Sequence, residues 1–539
     1  MARYEYRPFD YQKPPELSGT PARRRPVIIA GAGPVGLAAA IDLALHGVAC
    51  VVLDDNNIVS RGSRAICWSK RTLEIFDRLG VGERMVAKGV TWKVGRLYHG
   101  EREVYSFDLL PEEGHKNPAF INLQQYYVEQ YLVERAREFP QFIELRFKNK
   151  VVDVKQTNDN VRAEVETPDG RYTLQADYLL ACDGAHSPIR SMLGLTFRSR
   201  VFEEQFLITD IEMKADFPSE RWFWFDPPFH NGQSALLHKQ PDDIYRIDLQ
   251  LPADADPETE KRLENVIPRI QAVVGERPFE IDWTSLYRFQ CARIDRFVHG
   301  RVIFAGDSAH VVSPFGARGG NGGIQDVDNL VWKLAAVLQG QAPAGLIETY
   351  NEERVHGADE NILNSSRATN FMTPKSGFEH MLRNEVLTMA KDFPFARRLV
   401  NSGRLSLPCS LAGFSLQLDD DPDMQGPMVP GAACLDAPVF DEGGKAGWLL
   451  NRLGGEFKLI RFGAPLPGCG VSQIVIAGLP IDGFETLADD TDLVAQRYGG
   501  RDGAAYLIRP DQHVAARFAQ PTPEKIAQAL ARARGLEAA

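Results

Sequence analysis

Paired cysteines are missing from this sequence. Its seven cysteines (Cys50, Cys67, Cys182, Cys291, Cys409, Cys434 and Cys469) are scattered over 539 residues, with no CxxC and no histidine at metal-ligand spacing. A disulfide framework and a metal site are therefore not expected, and the pattern suits buried thiols in a reduced compartment. Long basic tracts are missing too. With 61 basic against 72 acidic residues the formal net charge is −11, and a chain without a basic face has little to set against a phosphate backbone, so nucleic acid is not expected as a partner. No apolar run is long enough to span a bilayer: Gly31 to Ala49 carries Asp42 and His46, and the basic cluster Arg23 to Arg25 has no apolar h-region behind it. A soluble, cytoplasmic protein without membrane attachment is expected. Internal repeats are also absent, and at this length one hydrophobic core does not suffice, so two or three domains are expected.

What is present begins with Val27 to Asp54, VIIAGAGPVGLAAAIDLALHGVACVVLD. An apolar strand runs into Gly31, Gly33 and Gly36. These allow a tight turn, the close approach of a pyrophosphate, and close helix–strand packing. The helix start offers free N–H groups to phosphates. A second strand, Val51 to Leu53, ends at Asp54, where an acid accepts hydrogen bonds from an adenosine ribose, and nothing basic nearby prefers a 2′-phosphate. Strand, helix, strand and terminal acid in register point to dinucleotide binding.

Further along, residues 1–24 are Pro-rich and aperiodic, an arm lying on the surface or on a partner. Apolar spacing predicts a helix over Ser63 to Gly80, with Gly80 ending it, and another in INLQQYYVEQYLVERAREF with Tyr127, Tyr131 and Leu132 facing inward. Strands are expected at Val151 to Val154, Val161 to Val165 and Tyr178 to Ala181, the last closing on Cys182-Asp183-Gly184. From about Val201 to Gln290 alternating, aromatic-rich segments (Arg221 to Phe225, Ser234 to His238, Tyr245 to Leu251, Trp283 to Phe289) read as an antiparallel sheet with a rim suited to an apolar ligand. A buried strand, Val302 to Ala305, reaches Gly306-Asp307. Then PFGARGGNGGIQDVDNLVWKLAAVLQG opens a second ligand-facing helix. From about Leu405 the composition shifts, and residues from about 400 read as a separate α/β unit with strands at Phe457 to Phe462, Gln473 to Ala477 and Tyr506 to Arg509.

GAGPVG with Asp54, then Asp183-Gly184, then Gly306-Asp307, in that order, resemble the FAD-binding fold of the single-component flavoprotein aromatic hydroxylases, the group of para-hydroxybenzoate hydroxylase and phenol hydroxylase. Arg64, Arg71 (in Arg-Thr-Leu-Glu) and Gln125 match further family positions. WTSLYRFQCAR, YRIDLQ, PGAACLDAP and YLIRPDQHVAARF look like phenol hydroxylase in particular. The fold implied is α/β: a Rossmann-like FAD-binding domain in two parts (25–199 and 297–399), an antiparallel-sheet substrate domain (200–296), and a C-terminal thioredoxin-like domain (400–539) without a redox CxxC. The resemblance implies FAD and NAD(P)H as cofactors and a small aromatic substrate and O2 as partners. A homodimer is left open. The cofactor set comprises Gly31, Gly33, Pro34, Val35, Gly36, Asp54, Arg64, Gln125, Val151, Asp183, Gly184, Gly306, Asp307, Arg318, Gly319, Gly320 and Asn321. In it Asp307 holds the ribityl chain, and Asp183 and Gly184 are linked to nicotinamide nucleotide use.

The implied reaction is oxygen transfer from a flavin C4a-hydroperoxide to an electron-rich ring in a dry pocket. The turn Pro314 to Asn321 is expected along the flavin ring, with Gly319, Gly320 and Asn321 amides facing its pyrimidine edge. Arg318 is either a cation favouring the reduced flavin or a surface arginine. Arg246 and Asp248, two apart, share one strand face. In the family such positions hold a flavin-contacting arginine and a substrate-contacting side chain; the alternative is a plain ion pair on a solvated strand. His238, Gln240 and Tyr287 are further substrate or catalytic candidates, or packed residues. Where phenol hydroxylase carries an acid serving the phenol, this chain reads Ala65-Ile66-Cys67-Trp68, which speaks against simple phenol. The alternatives are a flavin-dependent oxidase, epoxidase or tailoring hydroxylase acting on a larger substrate, and a non-catalytic flavin-binding assembly protein.

Overall fold

A computed structural model describes residues 4–19, 23–230, 233–252, 254–314, 316–400 and 407–536, with backbone only at 199–204. Four parallel strands form the centre of the first sheet, in the order Val302–Phe304, Gly170–Ala181, Arg25–Ala30, Cys50–Asp54, with Ile143–Phe147 beside the last, also parallel. Val27, Ile28, Ile29, Leu179, Leu180 and Ile303 are wholly inaccessible. Such unbroken apolar runs are what parallel strands covered on both faces require. The helix Pro34–Leu45 packs on this sheet through Gly36, where a Cβ would stand 2.0 Å from the Gly31 carbonyl oxygen. The helix Gly319–Leu338 lies against it just as closely, because a Cβ on Gly323 would stand 2.7 Å from a Val35 methyl and 3.1 Å from Gly306 Cα.

The second sheet has eight strands, in the order His310–Val311, Glu280–Arg293, Arg198–Glu212, Ile244–Leu251, Ala235–Lys239, Arg221–Phe225, Val94–His99, Arg102–Asp108. One of its faces is apolar against the helices Leu346–Met372, Gly377–Ala390 and Pro394–Val400, and the other is covered by Leu263–Val274. The expected sheet is present, with two differences. Val94–His99 and Arg102–Asp108, which carry no clear alternation, join its edge, and the junction between Arg221–Phe225 and Val94–His99 is parallel.

Helix starts differ as well. Cys67–Ser69 is a strand paired with Phe120–Asn122, so the helix expected from Ser63 begins only at Lys70 and runs to Arg78. Likewise the next begins at Gln125 and runs to Ala136. Phe120–Asn122 also pairs with Val90–Trp92; long-range pairing has overridden local helical periodicity here. The N-terminal arm lies on the first sheet's side of the molecule. Tyr4 and Tyr6 cluster with Tyr126, Phe9 stacks on Phe147, and Glu16 pairs with buried Arg146.

The composition shift near Leu405 lies outside the described residues. Beyond it a five-stranded sheet runs Glu485–Leu487, Ser472–Ile476, Lys458–Phe462, Ala505–Ile508, Val514–Phe518. The first three are parallel and the last two antiparallel, and the helix Pro523–Ala533 packs on them, a thioredoxin-like arrangement. Cys409, Cys434 and Cys469 are free thiols in separate surroundings.

The tail is fastened to the nucleotide half through buried charge. Arg509 donates to both oxygens of Glu353 (2.6 and 2.9 Å) and to Asp511, and Lys333 of the Gly319 helix donates to the same Glu353 at 2.7 Å. Arg71 donates to Asp328 at 2.8 Å, to Gln512 at 2.8 Å and to the Asp511 carbonyl at 2.8 Å. Burial opposes ionisation of Glu353, yet Arg509 and Lys333 hold its carboxyl well below the usual range. Removing one member of such a cluster leaves a buried charge uncompensated, which costs about 3–5 kcal/mol. Arg509→Met is therefore expected to lower unfolding stability by about that amount in urea titration; a loss under about 1 kcal/mol would show that the cluster does not clamp the two parts.

Candidate active site

The turn at Gly31 starts from a strand end that Leu53 fixes: the Gly31 N–H donates to the Leu53 carbonyl at 2.7 Å. Asp54 accepts the Ala32 N–H on one oxygen (2.6 Å) and the Asn56 N–H on the other (2.8 Å). Each oxygen keeps a lone pair for a further donor such as a sugar hydroxyl. A Cβ on Gly33 would meet nothing within 4 Å, so the space over the helix start is open to phosphates. Behind it Gln125 holds the segment that carries Arg64. Its side chain accepts from Ala65 N–H (3.2 Å) and donates to Ser60 (3.0 Å) and Glu129 (2.8 Å). Val151 is buried in the core of this half, so only its backbone is available to a ligand.

Beside the Gly31 turn, where a Gly31 Cβ would stand 3.3 Å from Asp183 Cα, Asp183 accepts from the Ile189 N–H at 3.1 Å, and its second oxygen is buried without a partner. Gly306 and Asp307 are placed by a carboxylate beneath them. One oxygen of Asp326 accepts the Gly306 N–H (2.9 Å) and pairs with His310 Nε2 (2.6 Å), while the other takes Arg354 Nε at 2.7 Å. Asp307 itself bears more than a third of its surface open, although protein crowds it on all sides, as at the bottom of a cleft. Burial raises its carboxyl pKa, against the pull of His310 and Arg64. It stands beside the Gly319 helix, with one oxygen 4.0 Å from where a Gly319 Cβ would be. The Gly319, Gly320 and Asn321 amides precede the first helical hydrogen bond, Gly322 N–H to the Arg318 carbonyl at 2.7 Å. They are donors without an intrahelical acceptor. The Asn321 side chain serves structure instead, accepting from Ser69 N–H (2.9 Å) and donating to the Cys67 carbonyl (2.9 Å).

The second sheet presents one face to this cleft, and its register settles which side chains share it. Directly opposed across the strands are Gly95, Arg221, His238, Arg246, Asp210 and Trp283; the next row holds Leu97, Phe223, Leu236, Asp248, Ile208 and Ser285, and Tyr287 lies one row beyond, opposite Phe206. Arg246 and Asp248 do share a face, but they are not an ion pair on a solvated strand. Arg246 is buried and grips Asp210 with two bonds of 2.8 Å, and it also donates to the Ser63 carbonyl. Gln240 donates to the same Asp210 at 3.1 Å. His238 sits between Cys67 Sγ (4.0 Å) and Asp248 (3.9 Å), with one Asp248 oxygen buried and unpartnered. Burial drives His238 well below its ordinary value, with Arg221 and Arg246 adding to the effect, so it is neutral. Burial pushes Asp248 up to about 6 against the pull of Arg246. Tyr287 is half-buried near Arg64 and Asp307, and burial raises its phenol. Arg318 is no surface arginine: it is buried and bonds Asn361 at 2.9 Å. Pro314 is exposed at the turn leading to it.

A cavity of about 650 Å³ opens beside Gly316 and Arg318, walled by Leu97, Phe107, Phe223 and Phe225 of the sheet and by Phe371, Met372, Leu382 and Val386 of the helices. Asp210, Glu129 and Asp326 were not singled out from the sequence. An acid inside the apolar strand FLITDIEM (Phe206 to Met213), and an acid one helical turn after Gln125, were the available signals.

A family model described as an FAD binding domain matches residues 24–365, which include the Gly31 and Gly306 turns and the Gly319 helix. The chain belongs to this FAD-binding family. It is a flavoprotein monooxygenase, and over 510 residues it is 31% identical to a flavin-dependent monooxygenase of Mycobacteroides abscessus, covering 90% of this chain and 96% of that protein. It is 28% identical over 537 residues to 6-methylpretetramide 4-monooxygenase of Streptomyces rimosus, covering 94% of this chain and 92% of that one. Among solved structures, the flavin-dependent monooxygenase PieE in complex with FAD and substrate shares the fold, with a TM-score of 0.78 at 23% identity, covering 95% of this chain and 100% of that one. A ternary complex of aklavinone-11 hydroxylase with FAD and aklavinone gives 0.78 at 23%, covering 96% and 100%. These comparisons carry the broad group of flavin-dependent monooxygenases rather than para-hydroxybenzoate or phenol hydroxylase in particular. Among the described residues no helix is long and apolar enough to cross a membrane.

FAD is the cofactor of this monooxygenase, and the residues present fit it: a phosphate-sized opening over Gly33, an acid at each end of the cleft, and open amides at Gly319 to Asn321. If Asp307 receives the ribityl hydroxyls, Asp307→Ala loses a charge-assisted partner worth about 1.5–3 kcal/mol and should weaken FAD about ten- to a hundredfold in flavin-fluorescence titration. Unchanged FAD affinity would remove Asp307 from the cofactor site. Asp248 gives a pH prediction. Its carboxyl moves from 3.8 to about 6 on folding, so between these values the folded chain holds the proton more often and Asp248 makes folding less favourable as pH rises. The anionic form dominates only above about 6. If that form serves the substrate, the ratio of product to NAD(P)H consumed should climb through pH 6, and Asp248→Asn should abolish the climb; a wild-type profile in that variant rules the role out.

Proposed function

We propose that this monooxygenase uses NAD(P)H and O2 to hydroxylate a phenolic substrate of more than one ring. The cavity carries the reading: about 650 Å³ of mainly apolar space, with Phe107, Phe223, Phe225 and Phe371 in its walls, is on the scale that holds drug-sized ligands. Simple phenol also lacks a partner at the position expected from phenol hydroxylase. There Cys67 is half-buried and turned to Asn122 at 3.2 Å, and burial pushes its thiol up to about 11. One relative, 6-methylpretetramide 4-monooxygenase, supports a larger substrate, while 3-(3-hydroxy-phenyl)propionate/3-hydroxycinnamic acid hydroxylase of Escherichia coli, also similar, is named for a single-ring one.

When bound, FAD supplies the reductive activation of dioxygen, one oxygen atom going to the ring and the other to water. The protein's share is orientation, dryness and proton handling. Arg246, fixed by Asp210, pins the Ser63 carbonyl and so sets Arg64 beside Tyr287 and Asp307. The aromatic walls exclude water from the reacting ring. Asp248, with an unpartnered oxygen on the cleft face, accepts the hydroxyl hydrogen of the substrate and so raises electron density on its ring. Neutral His238 beside it adds no competing positive charge.

The test is a phenol panel with NAD(P)H oxidation, oxygen uptake and product mass followed together. Naphthols and larger fused phenols are expected to stimulate NAD(P)H consumption at least about tenfold over the substrate-free rate and to gain one oxygen atom. Equal stimulation by phenol itself would overturn the multi-ring reading, and FAD binding without any stimulation would return the protein to a non-catalytic role.

A further inference from the structure

The same cavity is apolar in its walls but one-sided in its charge. Arg221, Arg318, Arg367, Arg383 and Arg398 line it, and among the described residues Glu379 is its only acid. Two of these charges are accounted for. Arg383 pairs with Asp226. Glu379 is consumed in capping the helix Gly377–Ala390, where its carboxylate accepts the Lys375 N–H at 2.6 Å and the Ser376 N–H at 3.1 Å. Both bonds fall on one of its oxygens, Oε2. Arg318 bonds Asn361 at 2.9 Å and is not counted among the unmatched charges. Arg221, Arg367 and Arg398 make no ion pair with a carboxylate among the described residues. Arg221 rises from the sheet on the Asp248 side, whereas Arg367 and Arg398 come from the opposite wall of helices, on Leu346–Met372 and Pro394–Val400.

Guanidinium groups that face one apolar-walled space without a carboxylate between them are matched by an anion, and the guanidinium fork fits a carboxylate with two parallel bonds. We infer that the substrate carries a carboxylate, which Arg367 and Arg398 receive at the helical wall while its ring hydroxyl faces the sheet. This rests on the hydroxylase reading above and narrows it to fused aromatic acids. The carboxylate belongs at the helical wall because Asp248, on the sheet side, repels a second negative charge. A ligand so held has its two polar groups at opposite ends and its rings between Phe223 and Phe371.

The FAD-loaded protein can be titrated with 6-hydroxy-2-naphthoate and with its methyl ester, two ligands of like shape that differ in charge, binding being read from naphthol fluorescence. The acid is expected to bind about tenfold or more tightly than the ester. In Arg367→Gln/Arg398→Gln the ratio should fall to about one, while FAD content and melting temperature hold. Arg367→Gln alone, at an exposed position, should give a partial fall if the double variant does not fold. Equal or tighter binding of the ester, or an acid preference that survives these substitutions, overturns the inference. Binding and hydroxylation of uncharged fused phenols in preference to the acid overturns it while leaving the hydroxylase reading intact; failure of every aromatic to be hydroxylated takes down that reading and this one together.

Discussion

One buried carboxylate, Asp326, holds the site together. It sits about two turns into the Gly319 helix and joins the Gly306 turn, His310 at the sheet edge, and Arg354 of the Leu346 helix. Burial alone would drive such a group neutral, but His310 and Arg354 hold its carboxyl below the ordinary range. Removing Arg354 leaves a buried carboxylate without its guanidinium partner, which is why the arrangement has little freedom to drift. Gly323 makes the contact possible, since any side chain there would push the helix off Val35 and Gly306.

That helix does two jobs along its length. Its first turn offers amides to the cleft, and its middle meets the tail directly through Asn329, which donates to Asp511, and indirectly through Asp328 and Lys333, whose partners Arg71 and Glu353 bond the tail. The geometry at the cofactor end is therefore set from both sides, by the sheet below and by the thioredoxin-like unit behind. The tail contributes position rather than chemistry: its thiols are apart, and burial raises Cys434 to about 12, far from a reactive thiolate.

Much of this was legible in the sequence where the signal is local. Val27 to Ala30 and Val302 to Phe304 read as buried strands because parallel strands need continuous apolar runs, and the glycine turn after the first reads from its own spacing. Arg246 and Asp248 share a face by the two-residue period alone. What a period cannot supply is the neighbouring strand. Asp210 lies opposite Arg246 only because of register over a separation of 36 residues, so the true ion pair was hidden and a nearer carboxylate stood in for it. Cys67–Ser69 was hidden in the same way, its strand existing only through Phe120–Asn122. Arg318 shows a third kind of limit: burial by Asn361 and the cavity walls is a property of packing, invisible in GARGGNGG.

The contacts between Arg71 and the tail span 440 and 441 residues of sequence. Chain synthesis runs from the N-terminus, so the strand and helix that frame the phosphate turn are complete long before Gln512 and Arg509 emerge. Until then Arg71 has Asp328 and Glu353 has Lys333, but neither has its tail partner. Docking of the last sheet then completes the buried charge cluster behind the Gly319 helix. Contacts this distant also make the loop-closure step slow, because closing entropy is spent before the buried ion pairs return anything.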